Sequence, residues 1–402
     1  MSRQRTNVPT PDESREETGV RGQVSVREGA PRPTLLPRKR QKPDRHSRKK
    51  VAYLRFSYYD VAFQYLTEQV FDAEFVPLGE ATRRTMDIGT ENSTDYVCAP
   101  FKHILGDYVE ALEAGADVLV QFTGYCRLSY YGELQEMILR DMGYDNFEML
   151  NFSFVFEQGF KEYVEYCKKV VNPNINVPVA VKNLAILMRM VERLDSYNDY
   201  YLANAGFEDE HGAFSRARAT FLEEMRHAIT LQDVNDTYKR GIAALHAIPS
   251  HKPDDPVRVA VVGEYFTAQD PHSSLHVEDK LMNMGVEVAR DLNLTNRNIF
   301  YNEKNLRKSV SEYVGYDMGP TSSITIAAAK KYMEQGFDGV VHAKSSGCTP
   351  EIDCMPVLQR LSRDYHVPVL YLSYDSQTSD TGLDTRLEAF YDMLSMRKDK
   401  QA

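Results

Sequence analysis

Apolar strand-like runs followed by amphipathic helical stretches occur in two separate series along the chain, and this narrows the available folds more than any other feature. In the first series, Val51-Ala52-Tyr53-Leu54-Arg55-Phe56 reads as a strand, the residues through Phe71 as a helix, and Ala73-Glu74-Phe75-Val76-Pro77 as a second strand. Phe101, Ile104, Leu105, Tyr108, Val109 and Leu112 then recur at helical spacing until Gly115. Asp117 to Phe122 is a buried strand, and Gly132 to Met142 a helix closed by Gly143. The second series opens with Val257-Arg258-Val259-Ala260-Val261-Val262-Gly263. It continues through a helix over 327–335, a strand over 339–343, a helix over 355–365 and a strand over 367–372. Strands alternating with helices form βαβ units, hence parallel sheets.

Between the two series the strand signal fades. Helical periodicity dominates from about Asn151 to Ile248, and the prolines and charges of His251-Lys252-Pro253-Asp254-Asp255-Pro256 mark a linker. The expected architecture is α/β: two doubly wound, Rossmann-like parallel-sheet domains facing a cleft, over 49–150 and 255–397, with a helical middle region at 151–250. The net charge of -10 is unevenly spread, since residues 1–50 alone carry a surplus of +8. Their prolines and lack of apolar periodicity predict a disordered basic tail over 1–48. Such an arm suits nucleic acid or an acidic partner, but a solvated tail is the plainer reading, so nucleic-acid binding is not expected of the rest. No apolar run reaches the roughly 18 residues of a membrane span, and the N-terminus leads into no signal sequence, so membrane attachment is not expected and a reducing cytoplasm is the expected compartment.

In that compartment the five cysteines are read as buried residues, metal ligands or redox groups rather than as disulfides. Cys98 before Pro100, Cys126 after the strand ending at Phe122, and Cys348 before Pro350 all read as lying in strand-to-helix connections. Such connections gather at the carboxyl ends of parallel strands, where ligands bind and helix N-termini favour thiolates. Three thiolates meeting there suit an iron–sulfur cluster, or zinc, with one coordination position open. Their spacing alone favours ordinary packing over metal binding, because free cysteine is among the most buried residue types. Cys167, aligned with Phe160, Val164 and Val171, reads as core, and Cys354 as packing near the site. His342 reads as a satisfied core residue. His272 and His276 are discounted as a metal pair because Pro271 and Ser273-Ser274 argue for a loop.

At these residues the chain resembles the 2-hydroxyacyl-CoA dehydratase family, both its iron–sulfur component and the related domain of the CoA-enzyme activases. The resemblance runs through Cys98-Ala99-Pro100-Phe101-Lys102, Cys126 to Glu133, Val262-Gly263-Glu264-Tyr265, Gly336 to Glu351 and Val367 to Phe390. It implies a [4Fe-4S] cluster on Cys98, Cys126 and Cys348. It further implies low-potential one-electron chemistry on an acyl-CoA substrate that ends in loss of water, as in a lyase, with the electron arriving from a separate ATP-dependent activator. Around the cluster, Lys102, Arg127, Tyr131 and Lys344 are the expected functional groups, with Glu133 and Glu351 as weaker candidates; a homo- or heterodimer is the expected assembly. Two stretches depart from the family pattern: Tyr125, where many relatives carry another cysteine, and Asp317-Met318-Gly319-Pro320-Thr321, where relatives are richer in glycine and carry a histidine. No Walker-type glycine-rich loop is present, so ATP hydrolysis is not expected of this chain. A non-catalytic electron-transfer or activation partner, and an α/β binding module without a cluster, remain open as alternatives.

Overall fold

A computed structural model describes residues 48–122, 130–152, 159–296 and 302–400. The basic segment through residue 47, together with Cys126 and Arg127, lies outside the described residues.

Two four-stranded parallel sheets carry the fold, with strand orders β2-β1-β3-β4 and β6-β5-β7-β8. The first comprises β1 (Lys50–Tyr53), β2 (Glu74–Phe75), β3 (Val118–Gln121) and β4 (Glu148–Asn151). The second comprises β5 (Arg258–Gly263), β6 (Glu287–Ala289), β7 (Gly339–Ser345) and β8 (Val369–Tyr374). Central strands β3 and β7 are buried throughout, as expected of parallel strands covered on both faces. Periodicity located the central strands well but passed over β4 and β6. Those edge strands each hold only two adjacent apolar residues, Met149-Leu150 and Val288-Ala289, too few for an apolar run to announce them.

The two sheets are built by the same order of elements. In the first half, α1 (Asp60–Tyr65) follows β1, α2 (Arg83–Glu91) and α3 (Ala99–Glu113) precede β3, and α4 (Tyr131–Asp141) leads to β4. Between the halves stand α5 (Phe160–Val170), α6 (Val177–Asn204), α7 (Ala213–Arg226) and α8 (Leu231–His246). In the second half, α9 (Tyr265–Gln269) and α10 (Val277–Asn283) follow β5, and α11 (Glu303–Val310) and α12 (Gly319–Glu334) precede β7. α13 (Thr349–Tyr365) leads to β8 and α14 (Asp380–Asp399) closes the chain.

Local chemistry explains several helix starts. Pro100 stands at the start of α3 and Pro178 at the start of α6, where a missing N–H costs nothing. Asn176 accepts the Val179 N–H at 3.3 Å, and Thr230 and Asp233 cap one another at the start of α8. Cys167 is buried on α5 as expected, and Val171 is buried with it, as are Tyr163 and Val170. Phe160, at the first turn, is 57% exposed because the helix turns that end of its stripe outward.

Two features seat α3. Its backbone meets that of α2 directly: a Cβ built on Gly89 would lie 1.7 Å from the Lys102 carbonyl oxygen, and one on Gly106 would lie 1.9 Å from that of Thr85. Glycine at both positions is therefore a condition of the helix pair. Gly106→Val is expected to force the helices apart, to lower stability by about 2–4 kcal/mol, and to displace the N-terminus of α3. Denaturant titration measures the first effect; a Gly106→Val protein as stable as the parent would show that the helices part without cost. On the opposite side, Asp107 accepts the Arg55 backbone N–H at 2.8 Å and pairs with its guanidinium, tying α3 to the end of β1.

The middle helices lock the halves together. Asp195 on α6 is buried and accepts hydrogen bonds from the hydroxyls of Tyr58 (2.9 Å) and Tyr59 (2.5 Å) and from the Thr295 N–H (2.8 Å). Tyr59 Oη in turn accepts the Leu294 N–H at 2.9 Å. One carboxylate thus joins the loop after β1, helix α6 and the loop after β6. Behind it, Tyr197 and Phe221 stack at 3.8 Å between α6 and α7.

Candidate functional site

The two halves meet at the carboxyl ends of their sheets, and two of the expected cysteines stand there as helix N-caps. Cys98 precedes α3 and Cys348 precedes α13, both with extended backbone and each followed by a proline. The connection at Cys348 is strand-to-helix as expected. That at Cys98 is not, since α2 intervenes after β2. Cys98 still reaches the carboxyl edge, because α3 runs antiparallel to the strand it feeds. Its helix start is tied across to the other half: the Ala99 N–H donates to Ser345 Oγ at 3.0 Å, at the end of β7. Cys348 lies three residues beyond Ser345, and its N–H donates to the Ser345 carbonyl at 3.1 Å. Serine 345 therefore fixes both helix starts in one place.

Both cysteines are half-buried as residues. Cys98 Sγ lies 3.4 Å from Tyr131 Oη, and the Tyr131 ring packs edge-on against Phe101 at 5.0 Å, so this hydroxyl is held by the packing of α3 on α4. Helix N-termini predict a thiolate at these positions, and for Cys348 the structure reverses that expectation. Its thiol is pushed well above the ordinary value, first by burial and then by the carboxylates of Glu264 and Glu351, with Cys98 adding to the effect. Desolvation and two acidic neighbours outweigh the partial positive charge of one helix turn. Without a cation this cysteine is a neutral thiol; a metal ion at the sulfur is what would remove its proton.

The flanking groups divide. Lys102 is buried on α3 at 7% exposure, and Lys344 is buried on β7, with its Nζ 3.5 Å from the carbonyls of Ser345 and Ser346. These two place positive charge at the facing helix starts. Tyr130 is exposed, and Glu133 accepts the Asn151 amide N–H at 3.3 Å, on the side of α4 that faces β4. His272 and His276 form a turn with ring centroids 5.1 Å apart, and His276 pairs with Asp279, in agreement with the loop reading.

Two groups escaped sequence reasoning. Glu264 follows β5 and caps α9, accepting the N–H groups of Phe266 at 3.0 Å and Thr267 at 2.7 Å. Burial raises its carboxyl above the usual range, and Glu351 adds to this. Behind Cys348 stands a buried trio. His342 Nε2 lies 2.7 Å from Glu351 Oε2, and Cys354 Sγ lies 3.5 Å from that oxygen and 3.8 Å from the imidazole nitrogen. The available signal was the i, i+3 spacing of Glu351 and Cys354 on a helix that follows a strand carrying His342.

Residues 209–394, from α7 to the last helix, match the family model described as 2-hydroxyglutaryl-CoA dehydratase, D-component. The match places that segment, a little under half of the chain, with the 2-hydroxyacyl-CoA dehydratase family. No curated protein matches the chain. The matched segment contains Glu264, Lys344, Cys348 and the buried trio, while Cys98 and Tyr131 precede it. The matched segment thus supplies one side of the candidate site, and the first half of the chain supplies the other. No described helix is long and apolar enough to cross a membrane.

Proposed function

We propose that the chain is an iron–sulfur dehydratase component whose [4Fe-4S] cluster is held by Cys98, Cys126 and Cys348. One observation carries this reading: two cysteines from different halves cap helices that one serine ties together, its hydroxyl bonded to the Ala99 N–H and its carbonyl to the Cys348 N–H, in a chain with a segment that matches a dehydratase family model. The donor set fits. Two half-buried cysteines sit where helix dipoles and the buried Lys102 and Lys344 offset the negative charge of a thiolate-ligated cluster. When bound, the cluster supplies one-electron transfer at low potential to an acyl-CoA thioester, with the electron delivered by a separate ATP-dependent activator.

The chain's own groups have narrower tasks. Tyr131 Oη, 3.4 Å from Cys98 Sγ, donates to the thiolate and stabilises its charge. Lys102 and Lys344 place positive charge on opposite sides, which favours the added electron. Glu264 and Glu351 act against it, so the site balances its cations with buried carboxylates. With three protein thiolates, one iron keeps an open position toward the cleft, where the substrate's carbonyl or hydroxyl oxygen would bind.

The test is anaerobic iron and sulfide analysis of the full chain, followed by EPR of the reduced protein during titration with 2-hydroxyacyl-CoA thioesters. Four iron and four sulfide per cluster are expected, with a signal that at least one thioester shifts. Absence of iron and sulfide overturns the cluster. An unresponsive cluster that reduces a partner enzyme overturns the catalytic part and leaves an electron carrier.

A further inference from the structure

His342, Glu351 and Cys354 are not among the ligands of the proposed cluster, and all three are 0% exposed. Their ligand atoms, Nε2, Oε2 and Sγ, lie within 4.8 Å of one another. The separations of 2.7, 3.5 and 3.8 Å bound a triangle whose centre is about 2 Å from each corner, close to the roughly 2.0–2.3 Å at which zinc binds nitrogen, oxygen and sulfur. The supports are rigid. His342 stands on the buried strand β7, while Glu351 and Cys354 lie one turn apart on α13, packed among Leu358 and Leu361. Thr325 Oγ1 donates to Glu351 Oε1 at 3.0 Å, which leaves Oε2 turned toward the histidine and the thiol.

Charge makes the arrangement unusual for a core. No Lys or Arg among the described residues pairs with Glu351, and Glu264 adds a second carboxylate nearby. Buried acidic groups without a cation are costly. A divalent ion held by a carboxylate, a thiolate and a neutral imidazole makes an electrically neutral unit, which suits a dry interior.

We propose that Cys354, His342 and Glu351 bind one zinc-type divalent cation, a site distinct from that of Cys98 and Cys348. On binding, the thiol proton leaves to solvent, the sulfur coordinates as thiolate, and the imidazole binds through Nε2 with its proton on Nδ1. The ion would stitch β7 to α13 directly behind Cys348, and so hold that helix start in place.

The experiment uses full-length protein carrying Cys98→Ala and Cys348→Ala, which removes both described thiols of the cluster site and makes the outcome independent of the proposed cluster. Anaerobic titration with Co²⁺ is expected to give one bound ion per chain. A near-ultraviolet thiolate-to-cobalt charge-transfer band should accompany it, with visible bands of tetrahedral intensity. Adding Cys354→Ser should abolish the charge-transfer band, and adding Glu351→Gln, close in shape to the parent, should weaken binding about 10-fold or more. Circular dichroism confirms that each variant is folded. No stoichiometric uptake by the folded protein, or a band that survives Cys354→Ser, overturns the site.

Discussion

Replacing Cys98 or Cys348 by alanine is expected to remove essentially all cluster iron from anaerobically prepared protein, whereas Cys167→Ala should leave iron unchanged and cost about 1 kcal/mol of stability. The contrast follows from position. Cys98 and Cys348 cap helices at the joined carboxyl edges, and both residues are only partly buried. Cys167 is buried on α5 beside Tyr163, where burial lifts its thiol to about 11 and makes thiolate ligation unfavourable. Cys126→Ala belongs in the same series, although that residue lies outside the described ones. Iron and sulfide per chain are the readout, with the melting temperature as a control for folding. Full iron content in both the Cys98 and Cys348 variants would show that these thiols hold no cluster.

The second large effect concerns the joint between the halves. Asp195→Ala leaves the hydroxyls of Tyr58 and Tyr59 and the Thr295 N–H without their acceptor in a region closed to water. Breaking a buried polar network by removing one partner costs about 3–5 kcal/mol, a large share of the 5–15 kcal/mol that hold a typical domain. Asp195→Asn keeps an acceptor oxygen and should cost less. Denaturant unfolding measures both. If alanine and asparagine at this position were equally mild, the carboxylate would not be the group that holds α6 against the two loops. Since Ser345 and Ala99 meet only when the halves are held together, the alanine variant should also lower iron content.

How much was legible in the sequence depended on the range of the interaction. Strands β1, β3, β5 and β7 and helices α3, α4, α12 and α13 followed from apolar periodicity, because that pattern records which face each segment buries, a local property. Prolines 100 and 350 marked helix starts for the same reason: a residue without an N–H is tolerated there and almost nowhere else in a helix. From these two facts alone, Cys98 and Cys348 could be placed at the carboxyl edges of two parallel sheets.

Relations between segments far apart in the chain came from the packing of the whole molecule. That Ala99 and Ser345 are hydrogen-bonded across 246 positions depends on how the halves are packed, as does the bond between Asp195 and Thr295 across 100. Periodicity carries no information about such pairings. The state of the Cys348 thiol was likewise out of reach: a helix start alone argues for a thiolate, and only the burial of the sulfur beside Glu264 and Glu351 reverses the balance. His342 and Cys354 each look like ordinary core residues when read singly. Strand β7 brings its histidine against the inward face of α13, and that contact turns two isolated core residues and a carboxylate into one group of ligand atoms.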